Sequence, residues 1–408
     1  MKILVINQYF PPDRAATALL LGQLTADLSR SENMTVVCAQ PTYNPDSRIS
    51  ENLSRVQMMR IPMLPFSRSN LFVRVINYFL FLFGAVFRTM FLPRHDILLC
   101  WTDPPLVGLI GALVSAVKGG TFVFVSQDVY PEIAAAVGKM SDPISRSILR
   151  WASSIILNRA AAVVAVGEDM KKRLAAKGCP FRKIHVIPNW QDLEALKPTD
   201  PTIFRKANGI PESAFVVMHS GNIGFSQDLE TLLAAAQATR DEPDIQFVIV
   251  GDGARKNHFE AQAKRMELGN VRFLPYQPGD HLAESLSAAD LHYVSLDPKL
   301  TGYIVPSKIY GILAVARPVL ANVQPGSEVD RIVRSAGCGV VCPPDADEIA
   351  KAIRQLRADP HNLKRIGQKG REWIEENGGR KRATERYHAL LAALLKEPPS
   401  GSIKDVPV

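Results

Sequence analysis

Short runs of uninterrupted apolar residues recur along this chain, each followed by a loop and a helical stretch, and that rhythm leaves few folds open. Ile3-Leu4-Val5-Ile6 is a buried first strand. A loop with Pro11 and Pro12 follows, then Leu20, Leu21, Leu24 and Leu28 at helical spacing, then the run Thr35-Val36-Val37-Cys38. Strand, helix, strand at this separation is a βαβ unit, which requires a parallel sheet. The pattern recurs at Asp96–Cys100, Thr121–Val125, Ala162–Val166 and His185–Ile187. It restarts after Lys197, with strands at Phe215–Met218, Phe247–Val250, Leu291–Val294 and Pro318–Ala321 and a helix at Leu229–Ala236. The reading is an α/β chain of two doubly wound, Rossmann-like domains facing a cleft, with ligands beyond the carboxyl ends of the strands.

The 408 residues suit two domains of ordinary size. The expected division is 1–195 for the first domain, 196–375 for the second, 376–396 for a last helix and 397–408 for a disordered tail. The linker is placed at Asn189–Ala207, with Pro198 and Pro201, and the final helical region at about Asn362 to Lys396. A hydrophobic content of 47% and a charged content of 22% exclude wholesale disorder. Residues 1–190 hold 21 Lys and Arg against 12 Asp and Glu, and the remainder 27 against 28. The net charge of +8 therefore comes from the first half. That bias fits an anionic membrane surface or a phosphate-bearing substrate, or is simply a basic surface. Five scattered cysteines fit packed thiols in a reducing cytosol better than a zinc set. The opening apolar run is too short for a secretory core, so a cytoplasmic chain is expected.

Residues 71–92 form the most apolar stretch, LFVRVINYFLFLFGAVFRTMFL. Arg74 and Arg88 leave too short an uncharged interval for a membrane span, which needs about 20 residues. On a helix Arg74, Asn77, Ala85 and Arg88 share one narrow face, with Arg68 and Arg94 flanking the segment. Two readings stay open: a helix lying in a membrane interface, or a core helix with its polar edge outward.

Several loops carry residues suited to chemistry. Ser220-Gly221-Asn222-Ile223-Gly224 and Val250-Gly251-Asp252-Gly253 are glycine turns after strands, each a candidate phosphate cradle or merely a tight turn. Pro306-Ser307-Lys308-Ile309-Tyr310 opens a helix. Ser307 is placed to cap it, and a first-turn Lys308 opposes the helix dipole, which points to a diphosphate or to a solvated lysine. Glu328 opens another helix and suits sugar hydroxyls or a plain N-terminal acid. In the first half, Asp128 and Glu132 follow a buried strand, where catalytic carboxylates sit in such sheets; for Glu132 the plain alternative is a first-turn helix acid. No phosphate loop ending in Gly-Lys-Ser/Thr, no nucleophile elbow and no His cluster is present.

In this order the motifs resemble the nucleotide-sugar-dependent glycosyltransferases of family 4, of GT-B fold. The likeness is greatest to bacterial surface-polysaccharide enzymes of the colanic-acid and aminofucose transferase branch. The resemblance is carried by Asn7–Pro12, Gln127-Asp128-Val129-Tyr130-Pro131-Glu132, Val186–Trp190 and the two glycine turns. It continues in Ala288-Ala289-Asp290, Val305–Tyr310 and Gly326-Ser327-Glu328. It implies an acceptor-binding first domain, a donor-binding second domain and a last helix crossing back to the first. It also implies metal-independent, cofactor-free transfer with retained anomeric configuration. The implied partners are a nucleotide-sugar donor, with UDP expected, a glycan or polyprenyl-linked acceptor and the inner membrane surface, with no nucleic acid. Donor contacts would fall on Gly221, Asn222, Gly224, Gly251, Gly253, Arg255, Ser307, Lys308, Ile309 and Glu328, and catalytic roles on Asp128, Lys308 and Glu328.

The departures are specific. The family's two donor glutamates correspond to Tyr303 and Gly311 here, and its loop glycine to Ala316. The loop that usually bears an Arg and a Lys offers Asn222 and Gln227, with Phe225 nearby and no cation. Two other functions therefore stay open: a non-catalytic GT-B scaffold subunit of a membrane glycan-assembly complex, and a nucleotide-sugar epimerase.

Overall fold

The computed structural model describes residues 1–13, 15–41, 51–64, 71–138, 140 and 142–396, without the side chains of Leu71, Phe72 and Arg74. The expected tail at 397–408 and Arg68 lie outside the described residues. The chain divides into two compact units, one of Met1–Pro188 with the chain from Ala383 on, the other of Asn189–Arg382.

The first unit holds seven parallel strands: β1 (Lys2–Ile6), β2 (Asn33–Ala39), β3 (Val56–Ile61), β4 (Ile97–Trp101), β5 (Thr121–Ser126), β6 (Ala162–Ala165) and β7 (Ile184–Val186), in the order β3-β2-β1-β4-β5-β6-β7. β1 pairs with both β2 and β4, so the strand order reverses there. The second unit holds β8 (Phe215–Ser220), β9 (Ile245–Val250), β10 (Val271–Leu274), β11 (Leu291–Ser295), β12 (Val319–Asn322) and β13 (Gly339–Cys342), ordered β10-β9-β8-β11-β12-β13. β1, β4, β9 and β11 are buried almost throughout because helices cover both faces of such sheets, hence their largely apolar sequences.

Three strands, β3, β10 and β13, have no counterpart in the sequence reading. All three are edge strands. Covered less completely, β3 and β10 mix polar with apolar residues, as in VQMMRI, and β13 is only the four-residue run GVVC, too short to stand out.

The last helical region is two helices, Pro360–Asn377 and Arg380–Lys396, broken at Gly378-Gly379. Asp359 caps the first of them, accepting from the Asn362 N–H at 3.0 Å. From Ala383 the second belongs with the first unit, burying Tyr387 and Leu391, while His388 meets Glu32 at 2.9 Å. Thr202–Ala207, at the end of the expected linker, is a short helix. All five cysteine thiols are free and buried.

The helix Leu71–Phe91 reverses the expectation of an outward polar edge. Asn77 and Ala85 are buried together with Phe81. The Asn77 amide satisfies the backbone of Leu64, accepting at 2.9 Å and donating at 3.1 Å. The phenylalanines of the opposite face point to solvent.

Candidate active site

In the second unit, β8 ends in His219 and Ser220, and β9 runs into Gly251. The two turns are built into one another. Gly221 N–H donates to Val250 O at 2.9 Å, Ile223 N–H to Asp252 O at 2.9 Å and Arg255 N–H to Ile223 O at 3.1 Å. At Gly251 φ is +148°, and a Cβ there would lie 1.9 Å from Gly221 O. A Cβ on Gly253 would lie 2.3 Å from Ile223 O. These glycines serve a backbone-on-backbone approach that a side chain would forbid. Gly224 packs in the same turn, against the Asn222 amide, and Asn222 itself is exposed.

Lys308 opens the helix Lys308–Ala314 and reaches this turn. Its Nζ donates to Gln227 Oε1 at 3.0 Å and lies 3.2 Å from Nε2 of the fully buried His219. A Cβ on Gly221 would meet Lys308 Nζ at 3.3 Å, so the ammonium rests against the turn. Part of the side chain stays open, but burial pushes the Lys308 pKa down to about 7. No ion pair to Lys308 exists among the described residues. His219 is held neutral by its burial and then by the Lys308 charge. This is not a solvated lysine.

A network that sequence reasoning missed holds Gln227 in place. Asp228 caps the helix Leu229–Ala238 through Thr231 and accepts from Asn322 Nδ2 at 2.8 Å. The Asp228 backbone accepts from Tyr293 Oη at 2.9 Å and donates to Ser295 Oγ at 3.0 Å. Asn322 and Ser295 end β12 and β11, so the turn is pinned to the sheet edge. A polar residue at each of several strand ends is the only sequence signal of it.

Other expected donor residues stand differently. Ser307 makes no capping hydrogen bond, because its backbone is already helical (φ −63°, ψ −16°) rather than extended. Ile309 is fully buried, so its side chain belongs to the core. Arg255 is engaged by Glu230 at 2.5 Å and stacks on Phe259 at 4.6 Å. Glu328 is buried and paired with Arg331, one turn along its own helix. Ala316, in place of the glycine, adopts φ +53°.

In the first unit, the loops after β1, β4 and β5 meet where the strand order reverses. Thr102 donates to Val125 O at 3.0 Å and accepts from Gln127 N–H at 2.8 Å. Asp103 follows, its backbone O accepting from Gln8 N–H at 2.8 Å and its carboxylate from Thr17 Oγ1 at 2.6 Å. Asp103 was not singled out by any motif. Asp128 keeps part of its surface open, yet burial and then the Asp103 charge raise its pKa to about 7. Burial raises Asp103 too, against the Thr17 hydrogen bond. Tyr130 is kept neutral by burial and by these two carboxylates. Glu132 is engaged by Lys177 at 2.6 Å. Among the described residues, no group of three or more His, Cys, Asp or Glu is placed to hold a metal ion.

Comparison with known proteins agrees with this architecture. Residues 19–190 match the glycosyl transferase 4-like domain and residues 200–373 the glycosyl transferases group 1 family. The probable glycosyltransferase WbjE of Pseudomonas aeruginosa is 29% identical over 307 residues, covering 74% of this chain and 76% of that protein. The putative colanic acid biosynthesis glycosyl transferase WcaI of Escherichia coli K12 is 24% identical over 388 residues, covering 89% and 94%. The crystal structure of Anabaena Alr3699/HepE in complex with UDP-glucose superposes with a TM-score of 0.72 at 17% identity, over 96% of this chain and 100% of that one. Sucrose-phosphate synthase from Thermosynechococcus elongatus gives 0.76 at 18%, over 97% and 100%. The fold is GT-B, and the chain belongs to the glycosyltransferases of group 1, with a 4-like domain in its first half.

Proposed function

We propose that this protein transfers a sugar from a UDP-sugar to a glycan or polyprenyl-linked acceptor in surface polysaccharide assembly, with retention and without a metal ion. The observation that carries the reading is the Lys308 ammonium, lodged at the Gly221 turn with an amide and a neutral imidazole as its neighbours and no carboxylate partner among the described residues. A half-buried cation without a counter-ion is a site prepared for an anion. As the bond from the sugar's anomeric carbon to the diphosphate breaks, negative charge grows on the leaving oxygen, and Lys308 offsets it in a low-dielectric setting. The Arg and Lys missing from the loop are answered by one lysine brought from another helix.

On the acceptor side, Asp128 is the group whose pKa suits proton exchange with a hydroxyl near neutrality. The glycine turns, Asn222 and the backbone near Ser307 line the donor side, with Glu328 and Arg255 contributing only if their present ion pairs are shared. UDP as the nucleotide rests on HepE, which was solved with UDP and with UDP-glucose. Polysaccharide assembly rests on the colanic acid enzyme WcaI.

The test is thermal shift with a panel of nucleotide-sugars, wild type beside Lys308→Ala. Stabilisation by one UDP-sugar, lost in the variant, is expected. No shift with any nucleotide-sugar at millimolar concentration, in a folded protein, would turn the reading to the scaffold subunit, which the residues Tyr303 and Gly311 favour.

A further inference from the structure

A cavity of about 20 Å³ opens beside Asp128 in the first unit. Its floor is Phe124 of β5 with Val129, Ile156, Leu157 and Leu174, all buried. Half-buried Asp128, Tyr130, Leu149 and Ser153 stand around its mouth. One wall is the helix Pro143–Arg159, on which Leu149, Ser153, Ile156 and Leu157 recur at helical spacing and so share one face. Ser153 is the small residue in that otherwise apolar stripe, and a larger side chain there would take up the space.

The size admits one group as large as a water molecule or a methyl. Chemistry separates the two. Thr102 and Ser126 also line the cavity. Thr102 Oγ1 donates to Val125 O and accepts from Gln127 N–H, while Ser126 Oγ donates to Asp128 O at 3.0 Å. Neither hydroxyl has a proton left to offer, so a water in the floor would find no donor there. A methyl needs only the dispersion contacts that Phe124, Ile156 and Leu174 supply. The mouth is different, because Asp128, Tyr130 and Ser153 bring polar groups to it. A ligand that fits both ends carries a methyl beside hydroxyls, and two kinds of sugar do so.

We propose that this cavity is a subsite for one methyl group of the acceptor sugar, either C6 of a 6-deoxyhexose or the methyl of an N-acetylhexosamine, with a ring hydroxyl at Asp128. The inference rests on the reading of Asp128 as the acceptor-side group, and it adds the substrate class. A parent hexose would carry a hydroxyl into a floor that offers it no acceptor beyond Ser126, and a free hexosamine would carry an ammonium there.

The test is saturation-transfer NMR on the full chain at millimolar sugar. The panel sets 6-deoxyhexoses beside their parent hexoses and N-acetylhexosamines beside the free hexosamines, in the gluco, galacto and manno series. One methyl-bearing class is expected to take up saturation, most strongly at its methyl protons, and its counterpart to bind at least about tenfold more weakly. The class that does so names the methyl. Ser153→Leu should abolish that saturation and Ser153→Val should weaken it, both with unchanged circular dichroism. Equal binding of the two members of each pair overturns the proposal. Binding of a free hexosamine alone also overturns it, in favour of a cation site at Asp128. No saturation by any sugar overturns it, and so does full binding by folded Ser153→Leu, which would leave the cavity a packing gap. The donor reading fails separately: a UDP-sugar thermal shift without sugar saturation sinks the subsite alone, and saturation without any nucleotide-sugar shift sinks the donor site alone.

Discussion

In the proposed donor site, Lys308 would make the affinity for a diphosphate depend on pH in a way that can be worked out. Burial has lowered its pKa from 10.5 to about 7 in the ligand-free protein. A bound diphosphate restores a strong anionic partner and raises that pKa again. Between the two values binding takes up one proton, so affinity is full below the free pKa and falls about tenfold per pH unit above it, or about 1.4 kcal/mol each. At pH 9 only about one site in a hundred is charged before binding, and UDP should bind about a hundredfold more weakly than at its low-pH limit. The phosphate's own last ionisation, near pH 6, is complete over the useful range of pH 7.5 to 9.5. Isothermal titration calorimetry in two buffers of different ionisation enthalpy reads both the dissociation constant and the proton count. Lys308→Arg, charged throughout, should show neither the slope nor the uptake. The free protein should move oppositely, gaining stability from pH 7 towards 10, because the unfolded chain there holds the proton that the native site has lost. A dissociation constant that stays within twofold from pH 7.5 to 9 in wild type would refute the reasoning.

The other predictions concern the first unit and the backbone. Asp103→Asn removes the charge beside Asp128, so the acidic limb of the pH–rate profile should move to lower pH, whereas a merely structural role would lower the rate at every pH without moving the limb. Ala316→Gly relieves a left-handed backbone at φ +53° and should stabilise by about 1 kcal/mol, read as a rise of about 2–4 °C in the unfolding midpoint. Gly251→Ala drives a methyl into Gly221 O and should cost at least about 2 kcal/mol and abolish UDP binding, measured by chemical denaturation and calorimetry.

The readable parts of the chain were those whose meaning is local. Central strands such as β1 and β9 announce themselves because both faces are covered, while β3, β10 and β13, at the edges, do not. Lys308 stood out because a first-turn cation contradicts the helix dipole. His219 and Asp103 did not, since each is an ordinary residue until the fold sets it beside Lys308 or Asp128. The helix Leu71–Phe91 displayed two faces in sequence, but not that the face with Asn77 would be the buried one, its amide paired with the Leu64 backbone. Ser307 was misjudged because capping depends on its own dihedral angles, which no residue type dictates.

If the turns at 220–224 and 250–255 hold the donor as proposed, their interlocking limits how donor preference can be altered. Val250 O, Asp252 O and Ile223 O each accept a hydrogen bond from the opposite turn, and Gly251 and Gly253 leave no gap between them. The two loops are therefore a single exchangeable cassette. A chimera that takes one from a relative and keeps the other inherits mismatched backbones, however well its side chains suit the new sugar. Grafted as a pair, with Gln227 included so that Lys308 keeps its partner, they carry their own fit with them.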